Sequence, residues 1–353
     1  MASYIQAPPT AHPGAPSPVQ ATGRTINWGV VATGRIASTV VADLQSLGDS
    51  NVIAVSSRSE ERARAFADKH EIDWAYGSYQ AMFDEPEIEA VYIASPHGQH
   101  FEIAMAALKS GKHVVCEKSL TINAHEARAL VAEARDNDLF LMEAVWSRFT
   151  PVFARAMEII GSGELGVVSW VQADLGFKAE YDPNWRLFNP ADGGGALLDL
   201  AVYPLTWALG TMGFPTSVQA TADLNDDGVD LQTAITLGYT GIRHAQLMVT
   251  LNAAAPRMAR VTCSNGWLST NAPLHNPTKL FIHPANGPAR TEVFEPVGNN
   301  YTYEFREATR CIQQGLNESP TMPWEDSVNT MAIFDGIRHQ VGVRYPNDLA
   351  RTR

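Results

Sequence analysis

The sequence predicts two folded domains: an α/β domain on a doubly wound parallel sheet, then an α+β domain with a large, mostly antiparallel open sheet. Three observations predict this. Up to about residue 146, short apolar runs alternate with helical stretches of about 10–15 residues. The first of those runs feeds a turn of small residues, Ala32-Thr33-Gly34-Arg35-Ile36-Ala37. Beyond residue 149, strand-like alternation recurs without long helices between the strands. At 353 residues and 45% hydrophobic, the chain has enough apolar material for two cores.

Composition narrows the function. A net charge of -12 argues against nucleic acid and anionic membranes, which recruit basic faces, and favours a small-molecule partner. Three scattered cysteines, Cys116, Cys263 and Cys311, fit neither a disulfide framework nor a cysteine zinc site, so a reducing cytoplasm is expected. Residues 1–24 hold five prolines and neither a basic start nor an apolar core, so they read as a disordered or extended arm and not a secretory signal. No run of about 18 apolar residues is available to span a membrane.

Taken in order, residues 26–32 form the first strand and 35–47 its helix. The dinucleotide fingerprint needs small residues for the tight turn, for backbone approach to a pyrophosphate and for helix packing. Ala32, Gly34 and Ala37 stand in those places, and Ala32, Gly34, Arg35 and Ile36 form the expected cofactor cradle of a Rossmann domain over residues 25–148. The second strand, 52–55, ends in Ser56-Ser57-Arg58-Ser59, where an NAD enzyme usually places an acid for the ribose 2′-hydroxyl. Ser57 and Arg58 can instead neutralise a 2′-phosphate, which favours NADP over NAD. Ser59 is also suited to cap the helix at 60–69.

A strand at 89–94 leads to Ser95-Pro96-His97-Gly98-Gln99-His100 and a helix to 110, with Pro96 in its first turn. His97 and His100, three apart, suit a cofactor-facing helix start better than a metal pair, since no third ligand is near in sequence. The run 113–117 ends in Glu117-Lys118-Ser119, which puts an acid and a lysine at the carboxyl end of a buried strand, where ligands of open α/β sheets bind. A helix at 123–135 and a strand at 139–146 finish the domain. Residues 149–353 then form the second domain, with strands at 167–175, 218–224, 233–239, 245–251 and 258–263 and helices at 303–315 and 324–340. Gly193-Gly194-Gly195 precedes a turn that can hold Asp199 and Tyr203 on one face, although Pro204 places Tyr203 at a break between helical turns.

With the glycine turn, Ser95-Pro96-His97, Glu117-Lys118 and Gly193-Gly194-Gly195 through Tyr203 in this order, residues 25–347 resemble the glucose-fructose oxidoreductase and inositol dehydrogenase family, Gfo/Idh/MocA. Met142-Glu143-Ala144-Val145-Trp146-Ser147-Arg148-Phe149, Arg186-Leu187-Phe188 and Gly336-Ile337-Arg338 with Tyr345-Pro346 point to its dihydrodiol and NADP-dependent D-xylose dehydrogenase branch. The resemblance implies that Lys118, Asp199 and Tyr203 are the catalytic set and that Glu117, Trp185 and Arg186 touch the cofactor. It also implies that Trp146, Arg148 and Phe177 line the substrate pocket with Asp199 and Tyr203. No metal is implied. The chain departs from the pattern at Ser119, where the family usually has proline after a cis bond, and at Ala32, where it usually has glycine.

The expected reaction is hydride transfer between a sugar or cyclic diol carbinol and NADP, which requires a base for the hydroxyl proton. A free tyrosine titrates near pH 10, so Tyr203 needs a cation such as Lys118 to serve, and Asp199 is left to hold a hydroxyl or the lysine. The rival reading is a non-catalytic dinucleotide-binding regulator with the same fold. A homo-oligomer, dimer or tetramer, is expected through the exposed face of the second sheet.

Overall fold

The structure, a computed structural model, describes Ile5 and residues 15–349. The chain divides into two compact units, one holding residues 14–146 with 296–331 and the other 147–295 with 332–353 and the first 13 residues.

The parallel-sheet unit alternates β1 (Ile26–Val31), α1 (Arg35–Gln45), β2 (Ser50–Ser56), α2 (Glu60–His70), β3 (Trp74–Tyr76), α3 (Tyr79–Phe83), β4 (Ala90–Ile93), α4 (His97–Lys109), β5 (His113–Glu117), α5 (Ala124–Asp136) and β6 (Leu141–Ala144). The short pair β3 and α3 carries too few periodic residues to be legible in the sequence. β4 is buried at every position and β1 at all but one, as apolar central strands must be when helices cover both faces. Strand order β3-β2-β1-β4-β5-β6 reverses direction between β1 and β4, which creates the crevice where doubly wound sheets take ligands.

The open-sheet unit contains α6 (Pro151–Ser162), β7 (Val168–Gly176), α7 (Ala196–Leu200), α8 (Val202–Met212), β8 (Ser217–Leu224), β9 (Asp230–Gly238), β10 (His244–Thr250), β11 (Ala259–Cys263), β12 (Gly266–Thr270), β13 (Lys279–Pro284) and β14 (Arg290–Val293). Its eight strands run β14-β13-β12-β11-β7-β10-β9-β8, antiparallel except for the β7–β10 pair. The helix α8 is apolar all round, buried from Val202 to Thr211, and packs with α7 on one face. The opposite face keeps Trp170, Met248 and Met258 exposed.

The chain then returns. After β14, α9 (Thr302–Gln313) belongs to the parallel-sheet unit, whereas α10 (Trp324–Val341) runs from that unit into the open-sheet one, where α11 (Pro346–Leu349) ends the described chain. The sequence reading instead ran the second domain unbroken from 149 to 353. Two buried acids explain the return of α9. Asp43 in α1 accepts hydrogen bonds from the backbone of Asn299, Tyr301 and Thr302, and Asp49 pairs with the fully buried Arg306. Burial opposes the charge of Asp49, but hydrogen bonds from Arg306, Gln313 and Thr22 outweigh it and hold the carboxyl at about 2. The same arginine donates to Pro18 O and Thr22 Oγ1, both at 2.7 Å. Residues 18–22 of the expected arm are therefore tied down, while residues 1–4 and 6–14 lie outside the described residues.

Candidate active site

In the parallel-sheet unit, Ala32 adopts φ 75° and donates its N–H to Ser56 O at 2.9 Å, turning the chain from β1 into α1. Gly34 is the N-cap of α1, and no side chain caps the helix. A Cβ on Gly34 would meet nothing within 4 Å. The first N–H groups of α1, headed by Arg35 and Ile36, thus have no side-chain cap at the sheet's switch point, which fits a pyrophosphate. Next door, Ser56 is fully buried with its hydroxyl unpartnered, Ser57 is buried, Arg58 is exposed, and Ser59 caps α2 through Arg62 N–H.

Ser95 likewise has a buried hydroxyl with no hydrogen-bond partner. Pro96 is the N-cap of α4, with ψ 153°, and not a first-turn residue as the sequence suggested. The two histidines hold backbone. His97 Nε2 lies 3.0 Å from Lys118 O; His100 Nδ1 lies 2.9 Å from Ser119 O and its Nε2 2.8 Å from Ser95 O. Burial drives the His100 ring to about 4. The neutral ring carries one N–H, so it donates to one of these two carbonyls, and both its nitrogens lie against backbone. The Lys118–Ser119 peptide is cis, although proline is absent. Glu117 is buried and accepts 2.6 Å from the Tyr92 hydroxyl, whose proton is held by burial and by the adjacent carboxylate. Trp146 is buried and stacks on Tyr301 at 4.4 Å.

In the open-sheet unit, the segment ahead of α7 folds on itself. Gly195 N–H donates to Leu187 O at 2.9 Å, and Gly194 lies so close to the carbonyls of Arg186 and Leu187 that a Cβ would sit 2.8–2.9 Å from them. The Tyr345 hydroxyl donates to Gly194 O at 2.6 Å, and Leu197 N–H donates to Asp230 at 2.7 Å. Asp199 is buried in α7 and accepts from Arg186 Nη1 at 3.0 Å. Ala201 ends α7 and begins α8, so the helical break falls there and Tyr203 lies inside α8, in a correction to the expectation from Pro204. The Tyr203 ring is buried and lies 4.9 Å from His275. Trp185 and Phe177 are partly exposed, Trp185 edge-on to Phe188 at 5.9 Å, and Arg148 is buried in the turn Trp146–Phe149.

The arrangement assembles Arg186 with Asp199, and Glu117 with the histidine-held Lys118 turn. Lys118 and Trp146 belong to the parallel-sheet unit, whereas Asp199, Tyr203, Trp185, Arg186, Arg148 and Phe177 belong to the other. Sequence reasoning missed the supporting groups Tyr92, Asp230, His275 and Tyr301. Each sits in an ordinary strand, loop or helix start, and the site segment it supports is at least 25 residues away, so no local spacing marks it.

A parallel sheet with an uncapped helix start at its switch point is a dinucleotide-binding arrangement. Residues 26–145 match the Gfo/Idh/MocA oxidoreductase family with its NAD-binding Rossmann fold, residues 153–269 match the Gfo/Idh/MocA C-terminal domain, and the chain belongs to this family. Trans-1,2-dihydrobenzene-1,2-diol dehydrogenase of Xenopus tropicalis is 34% identical over 90% of this chain and 99% of its own length. D-xylose 1-dehydrogenase (NADP+) of Hypocrea jecorina is also 34% identical, over 91% of this chain and 93% of its own. The fold of aldose-aldose oxidoreductase from Caulobacter crescentus, solved with glycerol, superposes with a TM-score of 0.83 at 22% identity, covering 90% of this chain and 98% of that one.

Proposed function

We propose that the protein is an NADP-dependent dehydrogenase that moves a hydride between a sugar or cyclic diol carbinol and the nicotinamide. The observation that carries this reading is the near end-to-end similarity to a ring-diol dehydrogenase and an NADP-dependent aldose dehydrogenase. Ser57 and Arg58 just after β2, with no acid in Ser56-Ser57-Arg58-Ser59, support NADP. The bound nicotinamide supplies the hydride acceptor or donor. The chain does the rest. The open first turn of α1, with Ser57, Arg58 and Ser95, binds the dinucleotide, joined by Glu117, Trp185 and Arg186. Lys118 and Tyr203 handle the hydroxyl proton, and Asp199, held by Arg186, orients a substrate hydroxyl. Trp146 of the parallel-sheet unit and Phe177 and Arg148 of the open-sheet unit offer aromatic faces and a hydrogen-bonding group, a mixture that suits a ring with an apolar face and several hydroxyls.

The reading includes a cytoplasmic homo-oligomer, dimer or tetramer, joined through the open sheet face. There Met248, Met258, Gln172, Gln246 and Arg260 border a depression of about 490 Å³. All three cysteines are buried and unpaired, and among the described residues no helix is long and apolar enough to cross a membrane. The test is steady-state kinetics with NADP and NAD against D-xylose, D-glucose, inositols and trans-dihydrodiols, with light scattering on the same sample. Turnover of a pyranose or ring diol with NADP preferred, lost in Lys118→Met while NADPH binding persists, is the expected result. No oxidation of any polyol overturns the function, and a monomer overturns the assembly.

A further inference from the structure

Asp230 opens β9 and is fully buried. Its Oδ2 accepts from Leu197 N–H and from Thr233 Oγ1, each at 2.7 Å. Its Oδ1 is buried without a hydrogen-bond partner and lies against Gly195, where a Cβ would come within 2.1 Å of it. Two titratable groups face it. Arg338 of α10 is already paired with Asp335 and Asp348, and Tyr345 gives its hydroxyl to Gly194 O. The charge is costly: burial pushes the carboxyl up to about 7 even though Thr233, Leu197 and Arg338 favour the ionised form.

Stability alone would be served by an amide, which keeps an acceptor for Leu197 N–H and avoids burying a charge. A carboxylate holds that N–H more tightly than a neutral oxygen does. The helix it holds is short. Ala196–Leu200 is little more than one turn, so the seat of its first residues sets where Asp199 points, and the chain enters α8 and Tyr203 directly from it.

We propose that Asp230 is a positioning residue for the reaction, fixing Asp199 and Tyr203 through Leu197 and Gly195 in its charged form. This rests on the reading of Asp199 and Tyr203 as reactive groups. The sign of the linked stability change follows from the raised value. Between 3.8 and about 7 the folded protein binds the extra proton, so this group's contribution to stability falls as pH rises through that window and is lost above it.

The test is Asp230→Asn in the full chain. Its Tm at pH 8 is expected at or above that of the parent, while kcat falls about 10- to 100-fold with KM for NADP unchanged. The kcat/KM profile should lose an ionisation near neutral pH, and amide exchange over residues 196–203 should quicken. Thr233→Val, which removes one donor to the charged form, should move that ionisation to higher pH. Parent-like kcat, pH profile and exchange in Asp230→Asn overturn the proposal. Should that variant not fold, an unmoved ionisation in Thr233→Val overturns it. If the parent turns over no polyol, the functional reading fails separately, and exchange over 196–203 still decides whether Asp230 sets this segment: faster exchange supports it and unchanged exchange overturns it.

Discussion

The turn after β1 and the turn before α7 use the same residue type for opposite ends. At Gly34 the missing side chain leaves open space beside an uncapped helix, and two nearby serines, Ser56 and Ser95, keep buried hydroxyls without partners. At Gly194 and Gly195 the space is already filled, by the carbonyls of Arg186 and Leu187 and by the Asp230 carboxylate, and the Tyr345 hydroxyl holds the turn from outside. Beside the first turn two hydroxyls find no partner in the chain, while at the second the Gly195 N–H, the Leu197 N–H and Gly194 O are all bound by the chain, with Asp230 Oδ1 left over. Hydroxyls left open beside an uncapped helix in one place, and backbone groups tied to the chain in another, distinguish a turn that can take a ligand from one that aims side chains.

Substitution of the two glycines should give the largest contrast. Gly195 has φ 122°, and a Cβ there meets Asp230 Oδ1 at 2.1 Å, so Gly195→Ala should destabilise by more than about 4 kcal/mol or prevent folding. Gly34 has φ −77° and ψ 177°, which alanine adopts freely, so Gly34→Ala should change stability by less than about 0.5 kcal/mol. Its methyl should still raise the Kd for NADPH about tenfold by blocking backbone approach. Thermal denaturation and NADPH titration of both variants check this, and equal Tm losses would break the comparison.

A smaller version replaces hydroxyls. Tyr345→Phe leaves Gly194 O without its 2.6 Å donor and should cost about 1–3 kcal/mol. Ser95→Ala removes a hydroxyl that has no partner in the chain, so its Tm should hold while NADPH binds more weakly. A Tm loss in Ser95→Ala as large as in Tyr345→Phe would contradict the assignment of Ser95 to the ligand side.

The parallel half was the more legible in sequence for a related reason. Its strands are near-continuous apolar runs, so the turns that follow them, at Ala32, Ser57, Ser95 and Lys118, could be located from local pattern. The open-sheet half could be read at Gly193–Gly195, Asp199 and Tyr203, but not at Asp230 or His275, whose roles arise from contacts across the fold. The return of α9 was illegible because Asp43 and Asp49, which hold it, lie more than 250 residues earlier and carry no local mark. Pro204 was legible as a break but misplaced it by two residues, because α8 starts at Val202 and the proline falls in its first turn, where its missing N–H costs no intrahelical bond.

Arg58 tests the ligand side of the comparison at its edge. It is exposed and follows the buried Ser57, so Arg58→Ala should leave stability unchanged and raise KM for NADP about tenfold with little change for NAD. A parent enzyme that already prefers NAD would remove the reason for this arginine.

The smallest expected effect is at Ala32, the one place where the ligand-side turn carries a side chain in a conformation that favours glycine. With φ 75°, its Cβ crowds the following carbonyl, at a cost of about 1–2 kcal/mol. Glycine removes that cost but adds freedom to the unfolded chain, which gives back about 0.4–1 kcal/mol. Ala32→Gly should therefore raise stability by about 0.5–1 kcal/mol, a shift of a few degrees or less in Tm. The N–H of residue 32 donates to Ser56 O whichever residue stands there, so NADPH affinity should stay within about twofold of the parent. Paired with Gly34→Ala, this separates two uses of a small residue three positions or fewer apart: relief of backbone crowding changes stability and not affinity, whereas filling the open space changes affinity and not stability. A drop in Tm for Ala32→Gly would mean that the alanine methyl packs usefully enough to offset its conformation, and the turn would then be shaped by its own contacts as much as by its ligand.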